Sequence, residues 1–292
     1  MSSLININNN FLDLPPELST YGSSRVAVLP IPFEKSVSYG GGASKGPDAI
    51  IQASGQVEWY DEEINAEACQ VGIATAAPVV CKNITGEEAV KEIAKRTSKL
   101  ISDGKFPVGL GGEHTVTAGC VMGMLKECKD FGVLQLDAHA DLRDSYQGDR
   151  YSHASVMRRV REFGLPIAAV GIRSLCQEEV EYIKREKIAV FYDRVVNKDG
   201  WPLEGVINAL PKRVYITIDV DGFSPSVVPA TGTPEPGGLP WYETLSFLKQ
   251  IFAQKDVIGL DVVELAPIEG LHFADFSMAK LIYKLIGYRF IS

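Results

Sequence analysis

Six side chains able to hold metal ions fall into three short clusters along the chain. They are His114 in Gly111-Gly112-Glu113-His114, then Asp137, His139 and Asp141 in Asp137-Ala138-His139-Ala140-Asp141, and the pair Asp219 and Asp221 in Asp219-Val220-Asp221. Two imidazoles with four carboxylates are too rich in oxygen for a structural zinc site, which prefers cysteine and histidine. Mixed carboxylate and imidazole ligation suits manganese. Two cations held roughly 3.5–4 Å apart need bridging carboxylates, and such a pair acidifies a shared water enough to make it a nucleophile near neutral pH. The expected chemistry is hydrolytic attack on an electron-poor carbon or phosphorus. Residues two apart in an extended chain share one face, so Asp137, His139 and Asp141 are expected to converge by alternation.

Simpler readings exist for each cluster. An Asp-x-Asp is ordinarily a turn, and Asp219-Val220-Asp221-Gly222 could open a calcium loop, but that spacing demands Gly and Glu where Ser224 and Ala230 stand. A lone histidine after two glycines is ordinarily structural. The conjunction decides against these readings, because each cluster directly follows an apolar stretch that reads as a buried strand: 107–110, 132–136 and 214–218. Sites in open α/β sheets form at such strand ends.

Eight apolar or β-branched segments recur, at 26–30, 71–74, 107–110, 132–136, 167–170, 188–191, 214–218 and 257–260. Most are continuous rather than alternating, as expected of parallel strands covered on both faces. Between them, residues 87–101 carry an apolar stripe of Val90, Ile93, Ala94, Thr97, Leu100 and Ile101, with Thr85 and Glu88 placed to form a capping box. Further helices are expected at 115–127, 154–163, 177–185, 241–253 and 276–286. This alternation predicts one α/β domain of three layers, α/β/α, with a mostly parallel sheet. Two glycine-rich stretches, 38–47 and 229–240, read as loops of close backbone approach. The first lacks the residue order of a phosphate-binding loop.

A length of 292 residues suits one large sheet, and 46% hydrophobic with 23% charged residues describes an ordinary globular composition. The net charge of −8 argues against nucleic acid as a partner and favours a small cation. No apolar run approaches the roughly 18 residues of a membrane span, so no membrane partner is expected. The N-terminal residues lack the basic and apolar regions of a secretory signal. Five cysteines without a Cys-x-x-Cys pair argue against a disulfide framework and for a cytoplasmic protein with reduced thiols.

Together, Gly111-Gly112-Glu113-His114-Thr115, Asp137-Ala138-His139-Ala140-Asp141 and Thr217-Ile218-Asp219-Val220-Asp221, the last followed by Ser224-Pro225 and Pro229-Ala230-Thr231-Gly232-Thr233, resemble the signature motifs of the ureohydrolase (arginase and agmatinase) family. The likeness runs in order from about residue 26 to the C-terminus. It implies a single domain over 1–292, with 1–24 as an extension packed on it, an arginase-like fold with an eight-stranded sheet, and two Mn2+ per chain. It further implies hydrolysis of a guanidino compound to urea and an amine, and assembly into trimers or hexamers.

Carried over position by position, the resemblance gives one metal to His114, Asp137, Asp141 and Asp219 and the other to Asp137, His139, Asp219 and Asp221. It makes Asp141 a proton carrier beside the nucleophile, His153 in Tyr151-Ser152-His153 a proton shuttle, and Glu264 in Asp261-Val262-Val263-Glu264 the partner of the guanidinium. An imidazole suits a shuttle because its ordinary pKa lies near working pH, and a planar cation is best met by a carboxylate. Asp261 reads as structural and His272 as a surface or packing residue.

Leu142-Arg143-Asp144-Ser145-Tyr146 and Gly171-Ile172-Arg173-Ser174-Leu175-Cys176 are similar to agmatinases rather than arginases. The resemblance therefore implies agmatine as substrate, cleaved to putrescine and urea in polyamine biosynthesis. Guanidinobutyrate, guanidinopropionate, arginine and formimidoylglutamate are the alternatives. A regulatory paralogue without turnover would ordinarily lack ligands, and a metal-dependent deacylase on a related fold would carry fewer ligands for one metal.

Overall fold

The computed structural model describes residues 9–81 and 83–291. Most of the N-terminal segment tested above for a signal lies outside the described residues.

The strands are β1 (Val26–Ile31), β2 (Tyr60–Asp61), β3 (Ala66–Glu67), β4 (Ile73–Thr75), β5 (Phe106–Gly111), β6 (Gly132–Leu136), β7 (Ile167–Ile172), β8 (Ala189–Tyr192), β9 (Arg213–Asp219) and β10 (Asp256–Val263). Eight of them form one sheet in the order β4-β1-β5-β10-β9-β6-β7-β8. Every pairing in it is parallel, so the sheet is wholly rather than mostly parallel. The helices are α1 (Pro16–Ser19), α2 (Gly46–Ser54), α3 (Gly86–Ser102), α4 (Val116–Glu127), α5 (Val156–Glu162), α6 (Gln177–Glu186), α7 (Asp193–Asp199), α8 (Leu203–Ala209), α9 (Trp241–Gln254) and α10 (Phe273–Phe290).

The strands read as continuous apolar runs because successive residues face different layers. In β1, Val26 and Val28 pack into one core with α2, α9 and α10, while Ala27, Leu29 and Ile31 pack into a second with α3, α4 and α5. Three layers result. Helix α3 is closed by the expected capping box: Glu88 N donates to Thr85 Oγ1 at 3.2 Å and Thr85 N to Glu88 Oε2 at 2.8 Å.

Helices α2, α7 and α8 fall where no helix is expected. Gly46-Pro47 reads as loop punctuation, yet proline is well suited to a first helical turn, where its missing N–H is not needed. Helices α7 and α8 have seven residues each, too short for a periodic stripe to register. The pair β2–β3 is a short antiparallel hairpin tied to α10, where buried Lys284 lies 2.9 Å from Asp61 and 3.1 Å from Glu63.

The centre of the sheet matters most for chemistry. Adjacent strands β5, β10, β9 and β6 end almost level, with Leu136 opposite Ile218 and Asp219 opposite Val263. The segments leaving their C-terminal ends begin at neighbouring points.

Candidate metal centre and active site

His114 follows β5 in a turn that only glycine permits at position 112. A Cβ there would sit 2.1 Å from the Phe33 carbonyl oxygen. The imidazole is fully buried. Its Nε2 lies 3.0 Å from Thr217 Oγ1, whose own proton goes to Asp261 Oδ1 at 2.6 Å. Nε2 therefore carries a proton, which leaves Nδ1 as the nitrogen whose lone pair a cation would take. That Nδ1 faces carboxylate oxygens of Asp141, Asp137 and Asp219 at 2.9, 3.2 and 3.3 Å, without a hydrogen bond of acceptable geometry. A buried lone pair ringed by anionic oxygens is a ligand set for a cation.

A second set adjoins it. His139 Nδ1 lies 2.9 Å from Asp221 Oδ2 and 3.8 Å from Asp137 Oδ1, and its Nε2 is 3.7 Å from Glu235 Oε1. The ligand atoms of His114, Asp137 and Asp219, and likewise those of Asp137, His139 and Asp221, each lie within 4.8 Å of one another. Asp137 belongs to both groups.

The charges show what the centre is suited to hold. Burial and the neighbouring charges of Asp141 and Asp221 push Asp137 up to about 7, and burial with the charges of Asp221 and Asp137 pushes Asp219 well above the carboxylate range. Burial pulls the histidines down, but the carboxylates outweigh it. Asp221 chiefly lifts His139 to about 11, and Asp137, Asp141 and Asp219 hold His114 well above its ordinary value. Protons compensate this much buried charge poorly, whereas divalent cations fit its oxygen-rich donors.

The convergence of Asp141 has a different cause from simple alternation. Asp137 Oδ1 accepts from His139 N at 2.6 Å, a local turn that breaks the extended run. Asp141 itself is left-handed at φ 53°, with its carbonyl held by Met157 N and Arg158 N at 3.0 and 3.2 Å. Asp219 Oδ1 likewise accepts from Asp221 N at 2.9 Å. Tight turns at strand ends aim these carboxylates.

Glu264 leaves β10 in the same left-handed region, φ 65°, and its Oε1 accepts from His114 N at 2.7 Å. Burial, with the nearby charge of Glu113, raises its carboxyl well above the usual range. His153 begins a short 3-10 turn, yet its ring also reaches across the site. Ser36 Oγ donates to Glu113 Oε1 at 2.9 Å, so it accepts from His153 Nδ1–H at 2.8 Å, while Nε2 lies 2.8 Å from Ser38 Oγ, which in turn donates to Tyr146 Oη at 3.2 Å. His153, Asp141, His139, Asp219, Asp221 and Glu264 all line one pocket of about 270 Å³. His114 and Asp137 lie beneath it. The glycine-rich loop supplies Ser38, Tyr39 and Gly40 to the wall.

All eight candidate side chains thus meet at one place. Asp261 is buried and holds Thr217, Thr117 and Tyr215, and His272 is 83% exposed, as expected of both. Sequence reasoning missed Ser36 and Glu113, which orient His153, and Thr217, which orients His114. Glu113 sat inside a motif already singled out, but its partners Lys35 and Ser36 lie 78 and 77 residues away.

Among the described residues no helix is long and apolar enough to cross a membrane, and all five cysteines are free. The family model described as "Arginase family" matches residues 24–287. An N(1)-aminopropylagmatine ureohydrolase from Synechocystis is 44% identical over 278 residues, covering 93% of this chain and 91% of that protein. An agmatinase from Pyrococcus horikoshii is 36% identical, covering 89% of this chain and 90% of that one. The crystal structure of agmatine ureohydrolase of Thermoplasma volcanium superposes with a TM-score of 0.87 at 31% identity, covering 98% of this chain and 95% of the other. With a match of this length joined to this pocket, the chain belongs to the arginase family.

Proposed function

We propose that this ureohydrolase cleaves the guanidino group of an agmatine-type cation, releasing urea and an amine, and that it prefers agmatine extended by an aminopropyl group to agmatine itself. The observation that carries the chemistry is the ring of carboxylates around the buried His114 Nδ1, opening into the pocket shared by Glu264 and His153. The longer tail is favoured by the 44% identity to a relative of that name, against 36% for an agmatinase. The product would then be urea and the corresponding triamine.

His114, Asp137, Asp141 and Asp219 would hold one manganese ion, and Asp137, His139, Asp219 and Asp221 a second. When bound, two such cations would acidify a shared water enough to make it a nucleophile near neutral pH. Glu264 lines the pocket with Oε1 already accepting from His114 N, and its carboxylate would orient the guanidinium by accepting charge-assisted hydrogen bonds from its N–H groups. Asp141 would accept a proton from the attacking water and pass it towards the departing amine. His153 would carry protons between Nε2 and the pocket mouth, its tautomer fixed by Ser36. Trimeric or hexameric assembly belongs to the same reading.

A second reading rests on Arg143, whose guanidinium lies 5.5 Å over the Tyr146 ring in the pocket wall and would meet the carboxylate of guanidinobutyrate. Urea release from aminopropylagmatine, agmatine, guanidinobutyrate and arginine, beside formamide release from formimidoylglutamate, separates the two. The highest kcat/KM on aminopropylagmatine supports the proposal. Preference for a carboxylate-bearing substrate overturns it.

A further inference from the structure

Arg173 follows β7, and its guanidinium donates to six carbonyl oxygens from three segments. Nη1 reaches Gly171 and Gly222 at 3.1 and 3.2 Å. Nη2 reaches Asp221, Phe223 and Glu235 at 2.6, 3.2 and 3.1 Å, and Nε reaches Pro236 at 3.0 Å. Among the described residues no carboxylate pairs with it. The backbone N–H groups of Arg173 and Ser174 both donate to Ala138 O, at 2.8 and 2.9 Å, and Ala138 N donates to Asp221 Oδ1 at 3.1 Å. One residue thus ties together the segments leaving β6, β7 and β9 and the loop around Glu235.

We propose that Arg173 is the positioning residue of the second cation alone, fixing His139 and Asp221 relative to one another. This rests on the two-cation reading above. The two ligands unique to that cation are the ones this network touches: Asp221 through its own carbonyl and carboxylate, and His139 through adjoining Ala138 and its bridge to Ser174. The ligands unique to the first cation are anchored elsewhere, His114 by Thr217 and Glu264, and Asp141 by Met157 and Arg158. Only a planar fork with five N–H groups spans this set of carbonyls. An ammonium keeps the charge but donates three bonds from one point.

The test is Arg173→Lys in the full chain, stripped of metal with a chelator and titrated with MnCl2 by calorimetry, with electron paramagnetic resonance of the bound ions. The expected result is a second-step affinity lowered about 10–100-fold, the usual range for losing an outer support, with the first step within about twofold of wild type. The exchange-coupled pair signal should give way to that of isolated Mn2+ at intermediate metal. Lys284→Met, which breaks a buried ion pair away from the site, should lower thermal stability and leave both steps unchanged. Two unaltered steps in Arg173→Lys, or equal weakening of both, overturn the proposal. Should that variant not fold, Arg173→Gln takes its place, and failure of both to fold also overturns it, because the arginine would then hold the fold rather than one site. Uptake of a single Mn2+ by wild type would instead refute the two-cation reading.

Discussion

Thr217→Val isolates the smallest device in the centre. Thr217 is fully buried in β9 and accepts from His114 Nε2–H while donating to Asp261. Valine keeps the branched shape and strand preference, so the change removes one hydroxyl from a sealed place. Leaving the imidazole N–H without an acceptor costs about 1–3 kcal/mol. At roughly 2 °C per kcal/mol for a chain of this size, the metal-free Tm should fall by about 2–6 °C. A second effect follows from the tautomer. Without Thr217 nothing holds the proton on Nε2, and Mn2+ affinity should fall about 10–100-fold. At saturating metal a loss of that size removes a further 1.4–2.7 kcal/mol or so of ligand stabilisation, so the Tm deficit should be larger with Mn2+ than without. Differential scanning fluorimetry with and without MnCl2, beside chelator competition, reads both quantities. Thr217→Ser should restore the affinity. Equal deficits with and without metal would refute the tautomer argument, and an unchanged metal-free Tm would refute the buried-bond argument.

Asp141→Asn keeps a residue that tolerates φ 53° and removes only the charge. Turnover should fall by about 100-fold or more while the fold stays intact by circular dichroism; near wild-type turnover would remove Asp141 from its assigned role. Glu264→Gln should raise KM by about 10–100-fold, the equivalent of one charge-assisted contact, with Mn2+ content unchanged. An unchanged KM in urea-release assays would contradict the guanidinium contact. Far from the site, burial would raise Glu63, but hydrogen bonds from Tyr288, Lys249 and Lys284 hold it down to about 2 against an ordinary 4.5. A depressed carboxylate contributes stability above its unfolded pKa and loses it as pH falls through the folded one. The Tm difference between wild type and Glu63→Gln should therefore shrink from about pH 4.5 towards about pH 2, and a constant difference would count against the pairing.

What a chain reveals before folding depends on how far apart the cooperating atoms lie along it. Most strands of the sheet were legible because two-sided burial writes itself into consecutive residues, although β4 has only three and edge strand β8 is only partly buried, and Thr85 with Glu88 because a capping box closes within three. The ligand clusters were legible for the same reason: each is a short run at the end of one strand. The reason first given for Asp141 was wrong, since alternation cannot anticipate a residue at φ 53° whose carbonyl is tied to Met157 and Arg158. Short helices such as α7 and α8 escaped because seven residues give barely two turns of periodicity. The orienting groups were hidden more deeply. Thr217 meets His114 across 103 residues, Ser36 meets His153 across 117, and Arg173 meets Glu235 across 62. Nothing local marks a threonine or an arginine as the support of a distant histidine or aspartate. The rest of the pocket wall is hidden for the same reason, because Ser38 and Tyr39 come from one loop and Arg143 and Tyr146 from another, and only the folded chain brings them together. Reaction type can therefore be read from ligands carried on strand ends, whereas affinity for metal and choice of substrate depend on long-range contacts, and variants at those contacts should change the second pair of properties without altering the reaction itself.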